Sequence, residues 1–153
     1  MKIDDVRIFE PDVFADFRGD LWTTWKKDEF PIDLDFNHDK VSTSRKNVLR
    51  GIHGDFKSWK LITCLYGEMY FILVDNRKDS KTYLQHQSMI LDDKKRKIVL
   101  VPPGVGNGFL VLSENSVFNR LKGSPADDHY TICPFRDTPK EDCPLCLLDE
   151  IGI

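Results

Sequence analysis

The stretch NVLRGIHGD, residues 47–55, sets one histidine three positions after an arginine and between two glycines. An imidazole titrates near neutral pH without large tuning, so His53 has the proton affinity a general base needs. A histidine in a sheet can equally be a buried imidazole with no chemistry, and the stretch alone leaves both readings open. In an extended chain Val48, Arg50 and Ile52 share one face, and Leu49, Gly51 and His53 share the other. Neither face is cleanly apolar, and a closed core would make a buried Arg50 costly. That combination favours a small barrel with polar groups in its mouth and a ligand cavity inside the sheet.

Three other stretches carry residue types that could do chemistry. CPLC at 143–146 has the Cys-x-x-Cys spacing of half a zinc site, and Cys133 could add a third ligand. No second pair or spaced histidine pair completes it, so Cys143 and Cys146 read as part of an irregular tail over about 138–153. GVGNG at 104–108 has the wrong glycine spacing for a dinucleotide or P-loop and reads as a turn. DDKKRK at 92–97 reads as a solvated hairpin turn rather than an anion patch.

The elements that must position these residues are strands. Short β-favouring runs recur between Gly, Pro, Asp and Asn signals: VRIF, LWTTW, NVLRGIH, KLITCLYGEMYFILVD, YLQHQSMIL, KIVLVP, NGFLVL, SVFNRL and YTIC. The long run is split at YGE into the two arms of a hairpin. So many strands with hardly any helical periodicity predict an all-β sandwich or barrel. The chain of 153 residues is expected to form one domain over 1–153, with no internal repeat and no composition break.

A formal charge of −3 argues against nonspecific binding to nucleic acid or an anionic membrane. No apolar run approaches the roughly 20 residues that span a bilayer. MKIDDVRIFE carries acids where a signal peptide needs an apolar segment, so a cytoplasmic protein with reduced cysteines is expected.

Five pieces taken together carry a resemblance: DFRGDLW (16–22), STSRKNVLRGIHGD (42–55), WKLITCLYGE (59–68), VDNRKDS (74–80) and VPPGVGNGFLVLSE (101–114). In order and spacing the chain resembles the dTDP-4-dehydrorhamnose 3,5-epimerase family over about residues 4–137. RGIHGD, rather than an aromatic residue and Gln after the histidine, resembles a subgroup acting on GDP-linked heptoses. The resemblance implies a cupin-type jelly roll, chemistry without metal or other cofactor, and a homodimer exchanging N-terminal strands. The substrate it implies is a nucleotide-diphospho-4-keto-6-deoxy sugar, in surface polysaccharide biosynthesis.

The chemistry follows from the C4 ketone, which acidifies the protons at C3 and C5. On this resemblance His53 is the general base and Lys60 the cation facing the enolate oxygen. Asp75 could orient the imidazole, or simply cap a turn at a strand end. Arg18 and Arg50 match contacts to phosphate or sugar, with Ser44 and Asn47 adding hydrogen bonds.

Four features depart from the family pattern. Arg120 stands where a tyrosine general acid is usual, and an arginine cannot give up its proton. Arg120 would instead stabilise the enolate or hold a phosphate. Pro125 and Ala126 replace an aromatic pair that packs on the base, and Asn107 replaces a histidine. The C-terminal aspartate that pairs with the catalytic histidine is missing, leaving Asp149 or Glu150 as distant substitutes. These departures point to epimerisation at one centre, C3, as the favoured reaction. The alternative they leave is a non-catalytic cupin that binds a nucleotide sugar.

Overall fold

A computed structural model of the chain describes residues 2–27 and 34–123, and the backbone of 129–131. The tail with Cys133, Cys143, Cys146, Asp149 and Glu150, and the positions Pro125 and Ala126, lie outside the described residues. The described chain contains no α-helix, and no helix long and apolar enough to cross a membrane. The strands are β1 (Arg7–Phe9), β2 (Val13–Asp16), β3 (Gly19–Trp22), β4 (Phe36–Arg45), β5 (Leu49–Asp55) and β6 (Trp59–Tyr66). They continue as β7 (Glu68–Asp75), β8 (His86–Asp92), β9 (Ile98–Val101), β10 (Val105–Val111), β11 (Asn115–Gly123) and β12 (His129–Thr131).

Two five-stranded sheets form, in the orders β1-β9-β6-β11-β4 and β12-β5-β10-β7-β8, and β2 with β3 makes a separate hairpin. From β4 to β12 consecutive strands alternate between the sheets, as in a jelly roll, except that β7 and β8 are neighbours in one sheet. The two sheets face each other without closing into a single barrel. Inside, Ile62, Cys64, Phe71, Leu73, Val99, Val101, Phe109 and Phe118 form the main core. Phe109 on β10 and Phe118 on β11 stack across it with ring centroids 4.7 Å apart. The outer face of the β6 sheet has its own cluster, where Leu61, Ile98 and Leu100 meet Phe9, Trp25, Leu34 and Phe36. Burial on both faces explains why β6 and β9 read as continuous apolar runs rather than alternating ones.

The split at YGE is correct in place but does not make a hairpin: β6 and β7 belong to opposite sheets and pair with other strands, so Gly67 turns the chain from one sheet to the other. Gly67 takes φ +82° between β6 and β7, and a Cβ there would sit 2.3 Å from the Asn115 carbonyl oxygen. DDKKRK is a turn, with Asp92 Oδ1 accepting from the Lys94 and Lys95 N–H groups at 2.9 and 2.6 Å. Two of its residues depart from a solvated loop: Asp93 Oδ2 accepts the Gly67 N–H at 2.8 Å, and Arg96 pairs with Asp20 and lies 4.5 Å over the Trp22 ring.

Three further expectations need correction. GVGNG is not a turn: only Gly104 precedes the strand, and Val105–Val111 is β10, at the centre of its sheet. The glycines let neighbouring backbone come close, since a Cβ on Gly108 would lie 2.9 Å from the Arg50 carbonyl oxygen. The polar run FNHDKVSTSR, with no expected strand, is β4, an edge strand whose residues are mostly exposed. The third concerns β5. Asn107 pairs with His53 and Phe109 with Arg50, so three steps along β5 match two along β10. That bulge breaks the simple alternation and turns Arg50 and His53 to the same, inward face.

Candidate active site

Lys60 begins the chemistry of the inner face. It stands near the start of β6, is 2% exposed, and donates from Nζ to Asn107 Oδ1 across the sandwich at 3.3 Å. Asn107 in turn lies directly opposite His53 on β5, which is half-buried. Directly opposed residues share a face with Cβ atoms about 4.5–5.5 Å apart, so His53, Asn107 and Lys60 converge on one end of the space between the sheets.

Alternation along β11 sends Phe118, Arg120 and Lys122 inward beside them. Lys122 lies directly opposite Lys60, and Arg120 opposite Ile62 on β6 and Lys40 on β4. The carboxylate among these cations is Asp55, at the end of β5 and 2% exposed. Its Oδ2 lies 3.4 Å from Lys122 Nζ and 3.9 Å from Lys60 Nζ. Its Oδ1 accepts the Ser58 and Lys57 N–H groups at 2.6 and 3.1 Å, closing the turn into β6.

Burial sets the proton affinities here. Desolvation pulls Lys60 down to about 8, with the Asp55 charge opposing and the Arg120 and Lys122 charges assisting. Desolvation likewise lowers Arg120, against the Asp55 charge, and an arginine stays protonated regardless. For Asp55 burial pushes upward, but the Ser58 N–H and the two lysines outweigh it and hold the carboxyl below its usual range.

The other expected residues are distributed unevenly. Arg50 is joined to Ser44, donating from Nε to its hydroxyl at 2.9 Å and bridging the two sheets farther along the inner face. Asn47 is not brought to this group. It is an exposed turn residue with φ +65°, and its N–H bonds the Val111 carbonyl at the far end of β10. Arg18 is not there either: it sits at the tip of the β2–β3 hairpin, 76% exposed, holding Asp16 through Nε and Nη2. Asp75 faces inward from the end of β7 and is fully buried. Its carboxylate accepts from the Arg77 N–H, Nε and Nη2 at 3.0, 2.9 and 2.9 Å, from Ser80 at 2.7 Å and from Thr82 at 2.6 Å. A carboxylate offers about four lone-pair sites, so this set saturates it. Desolvation alone would raise Asp75, but these donors, Arg77 first, hold it far below the ordinary carboxylate range.

A hollow of about 360 Å³ opens beside Asp4, Asp5, Arg77, Asp79, Ser80 and Lys81. None of these is an inward-facing residue of the Lys60 group, and the convergence of histidine, ammonium and amide marks the space between the sheets as the site instead.

A histidine opposite an asparagine that accepts from a buried lysine is an arrangement for proton abstraction next to an oxygen that gains charge. Residues 1–132 match the family described as dTDP-4-dehydrorhamnose 3,5-epimerase. The chain belongs to that family. It is 31% identical over 156 residues to the dTDP-4-dehydrorhamnose 3,5-epimerase of Escherichia coli (strain K12), covering 97% of this chain and 78% of that protein. To the same enzyme of Salmonella typhimurium (strain LT2) it is 37% identical over 123 residues, covering 76% of this chain and 67% of the other. The crystal structure of dTDP-6-deoxy-D-glucose-3,5-epimerase from Legionella pneumophila Philadelphia 1 in complex with dTDP-4-keto-L-rhamnose superposes with TM-score 0.81. It is 29% identical and covers 95% of this chain and 81% of that one.

Sequence reasoning about this member of the epimerase family missed Asp55 and Lys122. Both were legible in principle: Lys122 follows Arg120, and Asp55 follows His53, at the two-residue step that keeps a strand residue on one face. What hid them was the pairing between sheets, which no single strand reveals.

Proposed function

We propose that the protein is an isomerase that epimerises a nucleotide-diphospho-4-keto-6-deoxy sugar next to its C4 ketone, at C3 in preference to C5. The observation that carries this reading is the buried Lys60 ammonium held on Asn107, opposite His53. His53 takes the C3 proton, and the C–H electron pair moves into a C3–C4 double bond while the carbonyl pair shifts onto the C4 oxygen. The Lys60 ammonium faces that oxygen and lowers the energy of the enolate. A water on the opposite face returns a proton to C3, inverting the centre, and the imidazolium releases its proton to solvent.

Arg120 stands inward where the family pattern has a tyrosine acid, and its fixed charge suits enolate or phosphate contact rather than proton donation. That substitution supports a single-centre reaction. Arg50, steadied by Ser44, is the diphosphate contact within the protomer. Asp75 organises the β7–β8 turn through Arg77, Ser80 and Thr82, and so supports the site without orienting the imidazole. RGIHGD supports a GDP-linked heptose as the sugar nucleotide, made in the cytoplasm for a surface polysaccharide.

The enzyme acts as a homodimer. Among the described residues β2 and β3 pair only with each other, and the hairpin leaves Phe14, Phe17 and Leu21 at 72%, 97% and 71% exposure beside Arg18. Insertion of this hairpin into a second copy would cover those side chains and deliver Arg18 to the partner's site.

Proton NMR of GDP- and dTDP-linked 4-keto-6-deoxy sugars incubated with the protein in D2O tests the reading. Loss of the C3 signal, with none in a parallel His53→Asn sample, is the expected result. Binding without exchange at either carbon would make the protein a non-catalytic cupin that holds a nucleotide sugar.

A further inference from the structure

Lys60 and Lys122 are directly opposed on neighbouring strands of one sheet, on the same inward face. Like charges in that relation repel, and burial strengthens the repulsion. Asp55 comes from the other sheet and sets a single oxygen, Oδ2, against both ammonium groups at 3.9 and 3.4 Å. Its second oxygen is already occupied by the turn, receiving the Ser58 and Lys57 N–H groups. The backbone thus fixes the carboxylate, and the carboxylate fixes the lysines.

We infer that Asp55 is a positioning residue for the reaction, the shared counter-ion that keeps the Lys60 ammonium charged and aimed at Asn107 and the reacting oxygen. The inference rests on the epimerase reading for Lys60, though not for the ion triad itself. The charged and titratable groups facing Lys60 are Asp55 and His53 from β5 and Arg120 and Lys122 from β11, with His38 and Lys40 of β4 opposite Lys122 and Arg120. β9 presents only Val101 to Lys60, and β10 presents the neutral Asn107. Among the described residues of these strands, Asp55 is the carboxylate that pairs with both lysines. An ammonium buried among cations needs that charge to remain protonated at neutral pH.

A purely structural Asp55 would act through the turn alone. Asp55→Asn separates the two roles, because the amide oxygen still accepts the Ser58 and Lys57 N–H groups while the charge disappears. Lys122→Met acts in the opposite direction, removing a repelling neighbour.

The experiment is an NMR titration of full-length protein labelled with 13C and 15N at lysine, from neutral to alkaline pH, with the Lys60 signal assigned by its absence in Lys60→Arg. Wild type is expected to titrate at about 8. Asp55→Asn should titrate lower by roughly one pH unit or more, and Lys122→Met higher. In the epimerase assay the basic limb of kcat/KM should move with the Lys60 titration in each variant, with Asp55→Glu restoring part of the shift. An unmoved Lys60 titration in Asp55→Asn, or a downward one in Lys122→Met, overturns the assignment. Shifts of the expected signs in a protein that exchanges no sugar proton sustain the triad and overturn the epimerase reading, so the two fail separately.

Discussion

Arg50 and His53 are three residues apart on β5 and face the same side of the sheet. The register explains it: His53 opposes Asn107 and Arg50 opposes Phe109, and those two partners are both inward residues of β10. Without the extra residue on β5, one of the pair would point to solvent. The guanidinium that suits a diphosphate and the imidazole that suits a C–H bond therefore depend on one local irregularity.

Gly51 makes that irregularity possible, which gives the first prediction. Its φ of +104° is strained for a side chain, and a Cβ would sit 2.7 Å from both the Asn107 carbonyl oxygen and the Gly108 Cα. Gly51→Ala should lose about 2–4 kcal/mol in urea unfolding, from backbone strain plus displacement of β10. A loss within experimental error would show that the bulge relaxes without cost.

The second prediction concerns the two groups proposed for the chemistry. His53→Asn should remain folded and lose C3 proton exchange, because no other imidazole stands opposite Asn107 on β5. Lys60→Met should lower kcat by roughly 10²–10³ with a smaller change in KM, the pattern expected when a cation acts mainly on the developing oxyanion. Stopped-assay kinetics on both variants would check it. An equal fall in affinity and rate for Lys60→Met would make Lys60 a ground-state binding residue.

How much of this was legible beforehand depended on whether a residue's role is set within its own strand. The break at Gly67 and the strands β6, β7 and β9 could be read because composition and turn residues act locally. The expected pairing of β6 with β7 could not, since each joins a different sheet. β4 could not, since its outward side chains, such as Asp39, Val41 and Thr43, are exposed on an edge and follow no apolar alternation. His53 and Lys60 were singled out by the motifs around them, and the structure brings both to Asn107. Asp55 and Lys122 were not, because their pairing is created where two sheets meet, and the facing of Arg50 was misread because a bulge cannot be seen in one strand.

Asp75 supplies the third prediction. Its folded-state proton affinity is lowered, so its stabilisation is fully present above the unfolded carboxylate value of about 4 and fades as pH falls from there toward the lower folded value. Arg77 links the same carboxylate to the N-terminal segment, donating to Asp5 Oδ2 and the Asp4 carbonyl oxygen at 2.8 Å each. Asp75→Asn should cost about 1–3 kcal/mol at neutral pH. Its unfolding free energy should also fall less steeply than that of wild type as the pH is lowered from about 5 to 3. Parallel slopes in that acid window would mean that another carboxylate carries the acid sensitivity.

Phe109 and Phe118 give the fourth. They stack between sheets at an interplanar angle of 21° and are 4% and 7% exposed. Either residue changed to alanine should cost about 3–5 kcal/mol, since the cavity lies where neither sheet can collapse easily. The double variant should cost less than the sum, because the partner's stacking is already lost after the first change. Chemical denaturation of the three variants tests both statements, and strict additivity would show that the rings pack independently.

The last prediction addresses the hairpin. Arg18 is paired only locally with Asp16 in the described contacts, yet it stands among Phe14, Phe17 and Leu21 on a projecting two-stranded element. Apolar surface of that kind is stabilised by burial against another molecule, and a two-fold dimer would bury both hairpins equivalently. Sedimentation equilibrium should give a dimer for wild type and a much weaker one when Phe14 and Phe17 are both changed to Ser. Arg18→Ala and His53→Asn should each be inactive alone. Mixed after unfolding and refolding together, they should recover activity in about a quarter of the sites, because a hybrid dimer pairs the intact His53 of one protomer with the intact Arg18 of the other. No recovery from a mixture shown to contain hybrids would mean that Arg18 serves its own protomer or none.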